Sequence, residues 1–402
     1  MKKIIALVLA LALCLTAAVS LAAEPIAKED IKLGVITLHD EFSTYDKNFI
    51  DAVKQAAENL GLSEDQYKIV SGIEESDACR DTALDLVDEG CNIIFADSFG
   101  HEDYMIAAAK ENPDVEFAHA TGTKAHTEGV ANFHNAFASI YEGRYLAGVA
   151  AGLKLNEIKE AGKLKGDVPM IGYVGAFTYA EVISGYTSFY LGAKSVCPDV
   201  IMKVQFTGSW YDETAEKAAA EALIAAGADL ISQHADSMGA PTACENAGIP
   251  NVSYNGSTVE SCPNTFIVAS RIDWVPYFEY LINQRIAGEE IATDWTGTIA
   301  TGSVVLTDVN TAAAAEGTVE KIEEVKAALE NGTVKVFDTA AEGFITVGGA
   351  ALDSYMADVD TDANFEKDTE VVADGYFHES EFRSAPYFDV QIDGIELLNS
   401  AF

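Results

Sequence analysis

From Ile31 onward, short β-rich apolar runs alternate with stretches of helical periodicity. "IKLGVITL" (31–38) leads into a segment with Phe49, Val53, Ala56 and Leu60 on one face, Asp46 placed to cap its start and Gly61 to close it. "QYKIVSGI" leads to a helix over 76–89, stopped by Gly90, and "CNIIFADS" to another near 102–111, with "VEFAHATG" after it. Past residue 140 the alternation resumes. "VPMIGYVGAF" precedes a helix running through Leu191, "IMKVQFTGSW" an alanine-rich helix over 213–226, and "ADLISQHADS" a helix around 240–247; "IPNVSYNG" and "NTFIVAS" follow. Strand and helix units recurring about every 30 residues predict an α/β chain of βαβ units with parallel sheets. There are too many for one sheet. The pattern predicts two similar lobes, 30–135 and 140–252, with every loop that follows a strand on one edge of its sheet.

Charge and the N-terminal stretch narrow the class. Lys+Arg total 25 against 64 Asp+Glu, for a formal net charge of −39. Such a surface repels phosphodiester backbones and anionic headgroups, which argues against a nucleic-acid or lipid-surface role. Lys2 and Lys3, the apolar run 4–13 and the small residues around Ser20–Ala22 read as an export signal over 1–22. The apolar run is interrupted by Thr16 and Ser20, too short for the roughly 20 residues that a spanning helix needs. Cys14 is a second option, lipid attachment, although Leu13 stands where that signal wants a small residue. Beyond the signal, Cys79, Cys91, Cys197, Cys244 and Cys262 form an odd, irregular set rather than a disulfide framework. Cys79 and Cys91 flank a helix about 18 Å long, too far to bridge. Pairing of Cys244 with Cys262 stays open.

The loops that follow the strands carry the candidate chemistry. "HDEFSTYD" (39–46), "ADSFGHED" (96–103), "GAFTYAE" (175–181), "TGSWYDE" (207–213), "QHADSMG" (233–239) and "YNGS" (254–257) mix rings with carboxylates and amides. Phe42, Tyr45, Phe99, Phe177, Tyr179, Trp210 and Tyr211 supply the rings; Asp46, Asp236 and Asn255 are the polar candidates. Two such edges facing each other would enclose a flat, polar, uncharged ligand, stacking on its faces and fixing its edge groups. Asp46 and Asp212 also suit helix N-caps. Enzyme signatures are missing: no G-x-G-x-x-G follows a strand, and neither G-x-x-x-x-G-K-[ST] nor G-x-S-x-G occurs. The seven histidines never reach metal-ligand spacing, so neither a metal nor a cofactor is expected.

The chain resembles the basic membrane protein family, exported substrate-binding components of ABC transporters of the purine nucleoside receptor type. The resemblance rests on "TYDKNFIDAVKQAAENLG", "YEGRYLAGVAAGL" (141–153), "IGYVGAFTYAEVISGYTSFYLGAK" (171–194), "GSWYDETAEKAAAEALIAAGADLI" (208–231) and "ENGTVKVF" (330–337). It implies a periplasmic-binding-protein fold of the first type: two Rossmann-like lobes, 28–135 plus 256–302 and 136–255 plus 303–402, with crossings near 133–138, 252–257 and 300–304. It further implies nucleoside binding without catalysis by a monomer that serves a membrane permease and its ATPase. Carried over by position, Tyr45, Asp46 and Phe49 match the first ligand loop, Trp210 the "GSW" loop, and Tyr186 a ring near the ligand. The chain departs from the family in places: "HDEFSTYD" replaces a first loop that usually reads Asp, Gly, an aromatic, Asn and Asp, Asn255 and Thr121 stand where aspartates are frequent, and Asp273 replaces a lysine. A sensor of the same fold, or an exported nucleoside-processing enzyme, are the alternatives.

Overall fold

The computed structural model describes residues 24–359, 364 and 366–402; the export-signal stretch 1–22 and Cys14 lie outside them. Two sheets organise the chain. In the first, β1 (Leu33–Thr37) lies between β2 (Tyr67–Ser71) and β3 (Ile93–Ala96), followed outward by β4 (Glu116–Ala120), β5 (Phe133–Ala138) and β11 (Asp294–Gly297), all parallel. The second repeats that plan: β6 (Met170–Gly175) lies between β7 (Ile201–Phe206) and β8 (Leu230–His234), with β9 (Asn251–Tyr254), β10 (Phe266–Ile272) and antiparallel β12 (Val304–Leu306) beyond. A strand Ile395–Leu397 extends its other edge, parallel to β7. The inner strands are buried along their whole length, as parallel sheets covered by helices on both faces require.

Strand order reverses around β1 and around β6, and these switch points open the crevice at the strand ends. The helix Thr44–Leu60 turns Phe49, Val53 and Ala56 into the core and ends on Gly61 at φ 64°. Its cap is Ser43, whose hydroxyl accepts from the Asp46 amide; Asp46 sits one turn further on. Asp212 does cap its helix, accepting from the Ala215 amide at 2.9 Å. The long helices Ile140–Glu160 and Ala180–Val196 approach so closely that a Cβ on Gly148 would meet the Phe189 carbonyl, and one on Gly192 the Tyr145 carbonyl.

The chain crosses between sheets at Ser139, after Ile272 and between Gly297 and Val304. A division at 256 therefore misplaces β10. Ala269 pairs with Ser253 and Ser270 with Tyr254, so the run 266–272 belongs to the second sheet, and 252–257 is a strand end and cleft loop rather than a crossing. The helix Val275–Ala287 returns to the first lobe, where Trp274 stacks on Phe49 at 4.5 Å and Glu279 accepts from Asn59 at 2.8 Å. Among the described residues no helix is long and apolar enough to cross a membrane, and no three potential metal ligands gather. Cys79, Cys91, Cys197, Cys244 and Cys262 are free and buried, so Cys244 and Cys262 are not paired.

Candidate functional site

The strand-end loops of the two lobes face each other across one cavity of about 390 Å³, its mouth included. The first lobe contributes Leu38, His39, Tyr45, Asp46 and, from the loops after β3 and β4, Ser98, Phe99 and Thr121. Across from them stand Glu181, Trp210, His234, Asp236, Tyr254 and Asn255.

Each polar group is held by its loop. The Asp46 carboxylate accepts from the His39 amide at 2.7 Å and the Ser43 hydroxyl at 2.5 Å. Burial alone would raise its pKa, yet these bonds and the His39 side chain hold it below the ordinary value. Asp97 lies behind it, accepting from the Leu38 amide at 3.1 Å, while its backbone carbonyl takes the Tyr45 hydroxyl at 2.7 Å. Burial, then the neighbouring Asp46 charge, pushes the Asp97 carboxyl well above its ordinary pKa. Asp236, buried and facing Asp46 and Glu216, is likewise pushed well up; it accepts from the Asn255 side chain at 3.1 Å. Burial lowers the His234 pKa, although Glu181 at 3.4 Å pulls the other way. Among the described residues no lysine or arginine lines the cavity, so its field disfavours an anion and suits a neutral ligand rich in N–H and O–H donors.

The lobes are shut on one another. The Thr44 amide and hydroxyl donate to the Asp236 carbonyl at 3.1 and 3.2 Å, and the Asn48 side chain donates to the Asn255 carbonyl at 3.0 Å. Rings meet across the gap as well, Phe99 with Tyr179 at 5.5 Å and His39 with Tyr211 at 5.4 Å.

Of the ten residues expected at the site, Tyr45, Asp46, Phe99, Trp210, Asp236 and Asn255 meet around the cavity. Phe177 and Tyr179 form a second layer: stacked at 5.2 Å, they back Trp210, which Phe177 meets edge-on at 5.0 Å. Phe49 and Tyr186 are corrections. Phe49 is fully buried because helical spacing turns it inward, onto Phe95 and Trp274. Tyr186 is fully buried beneath the second sheet, against Tyr173 and Phe206, its hydroxyl donating to Gln391 at 3.1 Å. Glu181, Tyr254 and Ser98, within the quoted loops, His234, read only as a cleft-loop histidine, and Thr121, read only as a departure from the family, were not singled out as contacts, yet all lie within a few residues of a strand's C-terminal end. Thr121 and Asn255 also share a left-handed backbone, φ 66° and 63°, uncommon for non-glycine residues, although Asp374 and Ser380 adopt it away from the cavity.

Two doubly wound parallel sheets, three crossings and a cavity closed between opposed strand ends define a two-lobed solute-binding protein. The model of the Bmp family, described as ABC transporter substrate-binding protein PnrA-like, matches residues 34–338, and the chain belongs to that family. Over 255 residues it is 35% identical to a purine-binding protein of Brucella abortus (strain 2308), covering 63% of this chain and 68% of that one. It is 32% identical over 215 residues to a Haloferax volcanii protein named for glucose binding in an ABC transporter, covering 54% of this chain and only 51% of that relative. An ABC transporter solute-binding protein from Aeropyrum pernix K1 shares the fold, with TM-score 0.63 at 17% identity over 78% of this chain and 94% of that one. The chain is thus a substrate-binding protein of ABC transporters.

Proposed function

We propose that the protein is exported, captures a purine nucleoside or nucleobase between its lobes, and presents it to a membrane permease driven by an ATPase. The observation that carries this reading is the cavity wall itself: rings from both lobes around acceptor-rich loops with no cation. Trp210 and Phe99 stack on the base. Asp46 on one side, with Asp236, Asn255 and Glu181 on the other, take its N–H and hydroxyl donors; a bond to the ionised Asp46 contributes about 1.5–3 kcal/mol and one to a neutral acceptor about 0.5–1.5 kcal/mol. Ligand bonds that reach both lobes favour the closed form, and the permease reads that shape. The Brucella abortus relative, a purine-binding protein by name, supports the purine class. The Haloferax volcanii relative makes a sugar the second reading, since the same acceptors suit sugar hydroxyls. A thermal-shift screen of purine nucleosides, free bases and simple sugars decides, because a ligand that binds only the folded form raises the melting temperature. A shift with purines supports the reading; a shift with sugars alone replaces it.

A further inference from the structure

Beyond the strand Ile395–Leu397, the chain runs on toward the cavity rather than away from it. The Asn399 side chain brackets the last residue of β7: its Oδ1 accepts from the Phe206 amide at 2.7 Å and its Nδ2 donates to the Phe206 carbonyl at 2.9 Å. Two residues later the backbone of Ala401 grips the other loop. The Thr178 amide donates to the Ala401 carbonyl at 2.7 Å, and the Ala401 amide donates to the Thr178 hydroxyl at 2.9 Å. Phe402 then sits against Tyr179, ring centres 6.5 Å apart. These bonds fall on the two loops that carry Trp210 and Glu181 into the cavity, and Tyr179 is the ring that meets Phe99 across the lobes. Asn399, Ala401 and Phe402 themselves lie outside the stretch 34–338 that matches the family model.

We infer that Asn399 and Ala401 are positioning residues for the ligand site, a clamp that holds the Trp210 and Glu181 loops at a fixed spacing. Pairing the sheet edge needs only Ile395–Leu397, which already cover β7 through register with Met202, Lys203 and Val204. Asn399–Phe402 add no strand pairing: the Asn399 side chain holds the Phe206 backbone at the end of β7, and the Ala401 backbone holds Thr178 in the other loop. Holding those loops in the ligand-bound shape lowers the ordering cost of binding.

The ligand arm of the test rests on the purine reading; the structural arm does not. In the full chain, Asn399→Ala and Thr178→Val are each expected to speed amide hydrogen exchange about tenfold in residues 176–181 and 206–211. Exchange in residues 93–97 and the melting temperature without ligand stay as in the parent. Affinity for the tightest-binding purine nucleoside of the screen falls about fivefold, the size of one or two lost hydrogen bonds. Thr178→Ser, which keeps the hydroxyl, restores both readings. Unchanged exchange in the two loops overturns the inference, and so does a fall in melting temperature that accompanies every loss of affinity. Exchange is read without ligand, so a screen in which no purine binds removes the purine reading while the clamp is still decided by the loops alone.

Discussion

At the scale of single residues, two rings four residues or fewer from a strand-end loop have opposite fates. Trp210 is half-buried at the cavity wall, and Phe49 is wholly inside the first lobe. Trp210→Ala is expected to weaken purine binding at least about tenfold, some 1.4 kcal/mol, while the melting temperature without ligand holds. Equal loss of stability would make the ring core. Phe49→Ala should instead lower unfolding free energy by about 3–5 kcal/mol in a denaturant titration, the cost of an aromatic-sized hole. Glu216 gives a pH-dependent case. Fully buried, it accepts from the Asp212 and Ser237 amides, and burial raises its pKa from 4.5 to about 7. Because the folded value is the higher one, its stabilising contribution is complete below pH 4.5 and is lost as pH rises through about 7. Glu216→Gln, which cannot ionise, should therefore gain on the parent by up to about 3 kcal/mol between pH 4.5 and 7 and then run parallel to it. A parental melting curve with the same pH slope as the variant would refute this.

Elements were more legible than contacts. Period-two and period-3.6 patterns locate the strands and helices that build both sheets, and the rule that ligands sit at strand ends locates the loops. They do not say which ring near a loop faces outward. Phe49 and Tyr186 fell on inward faces that only the packed helices define, and the cap went to Ser43 because Asp46 was drawn back toward the His39 amide. The lobe to which β10 belongs was hidden for a related reason. A strand buried on both faces, such as "FIVAS", reads the same in either sheet, and only its pairing with β9 settles membership. Glycines within helices carry another message that periodicity cannot read. Gly148 and Gly192 lie where the helices Ile140–Glu160 and Ala180–Val196 touch backbone to backbone. Gly148→Ala should gain helix propensity yet destabilise the second lobe by about 1–3 kcal/mol or more through overpacking. A neutral or raised unfolding midpoint would show that the helices can part at no cost.

For the whole molecule, what matters is how firmly the closed form is held without a ligand. The direct interlobe bonds described above are few and sit at the mouth: Thr44 to the Asp236 carbonyl and Asn48 to the Asn255 carbonyl. A net hydrogen bond contributes about 0.5–1.5 kcal/mol, so each latch alone shifts an open–closed equilibrium several-fold but does not lock it. Each lobe is built on its own sheet, so a latch can be removed without unfolding either. Asn48→Ala takes away the side-chain donor from a helix surface and leaves both sheets intact. In the ligand-free protein the mean radius of gyration measured by small-angle scattering should rise, because more molecules are open. Apparent affinity falls by the same factor as the closed fraction, up to about fivefold for a bond near 1 kcal/mol. At saturating purine, scattering should return to the parental curve, since the ligand then supplies the bridging bonds. A variant with unchanged ligand-free scattering but weakened binding would place Asn48 in ligand contact rather than in the latch. One with both quantities unchanged would mean that the hinge itself sets the closed form.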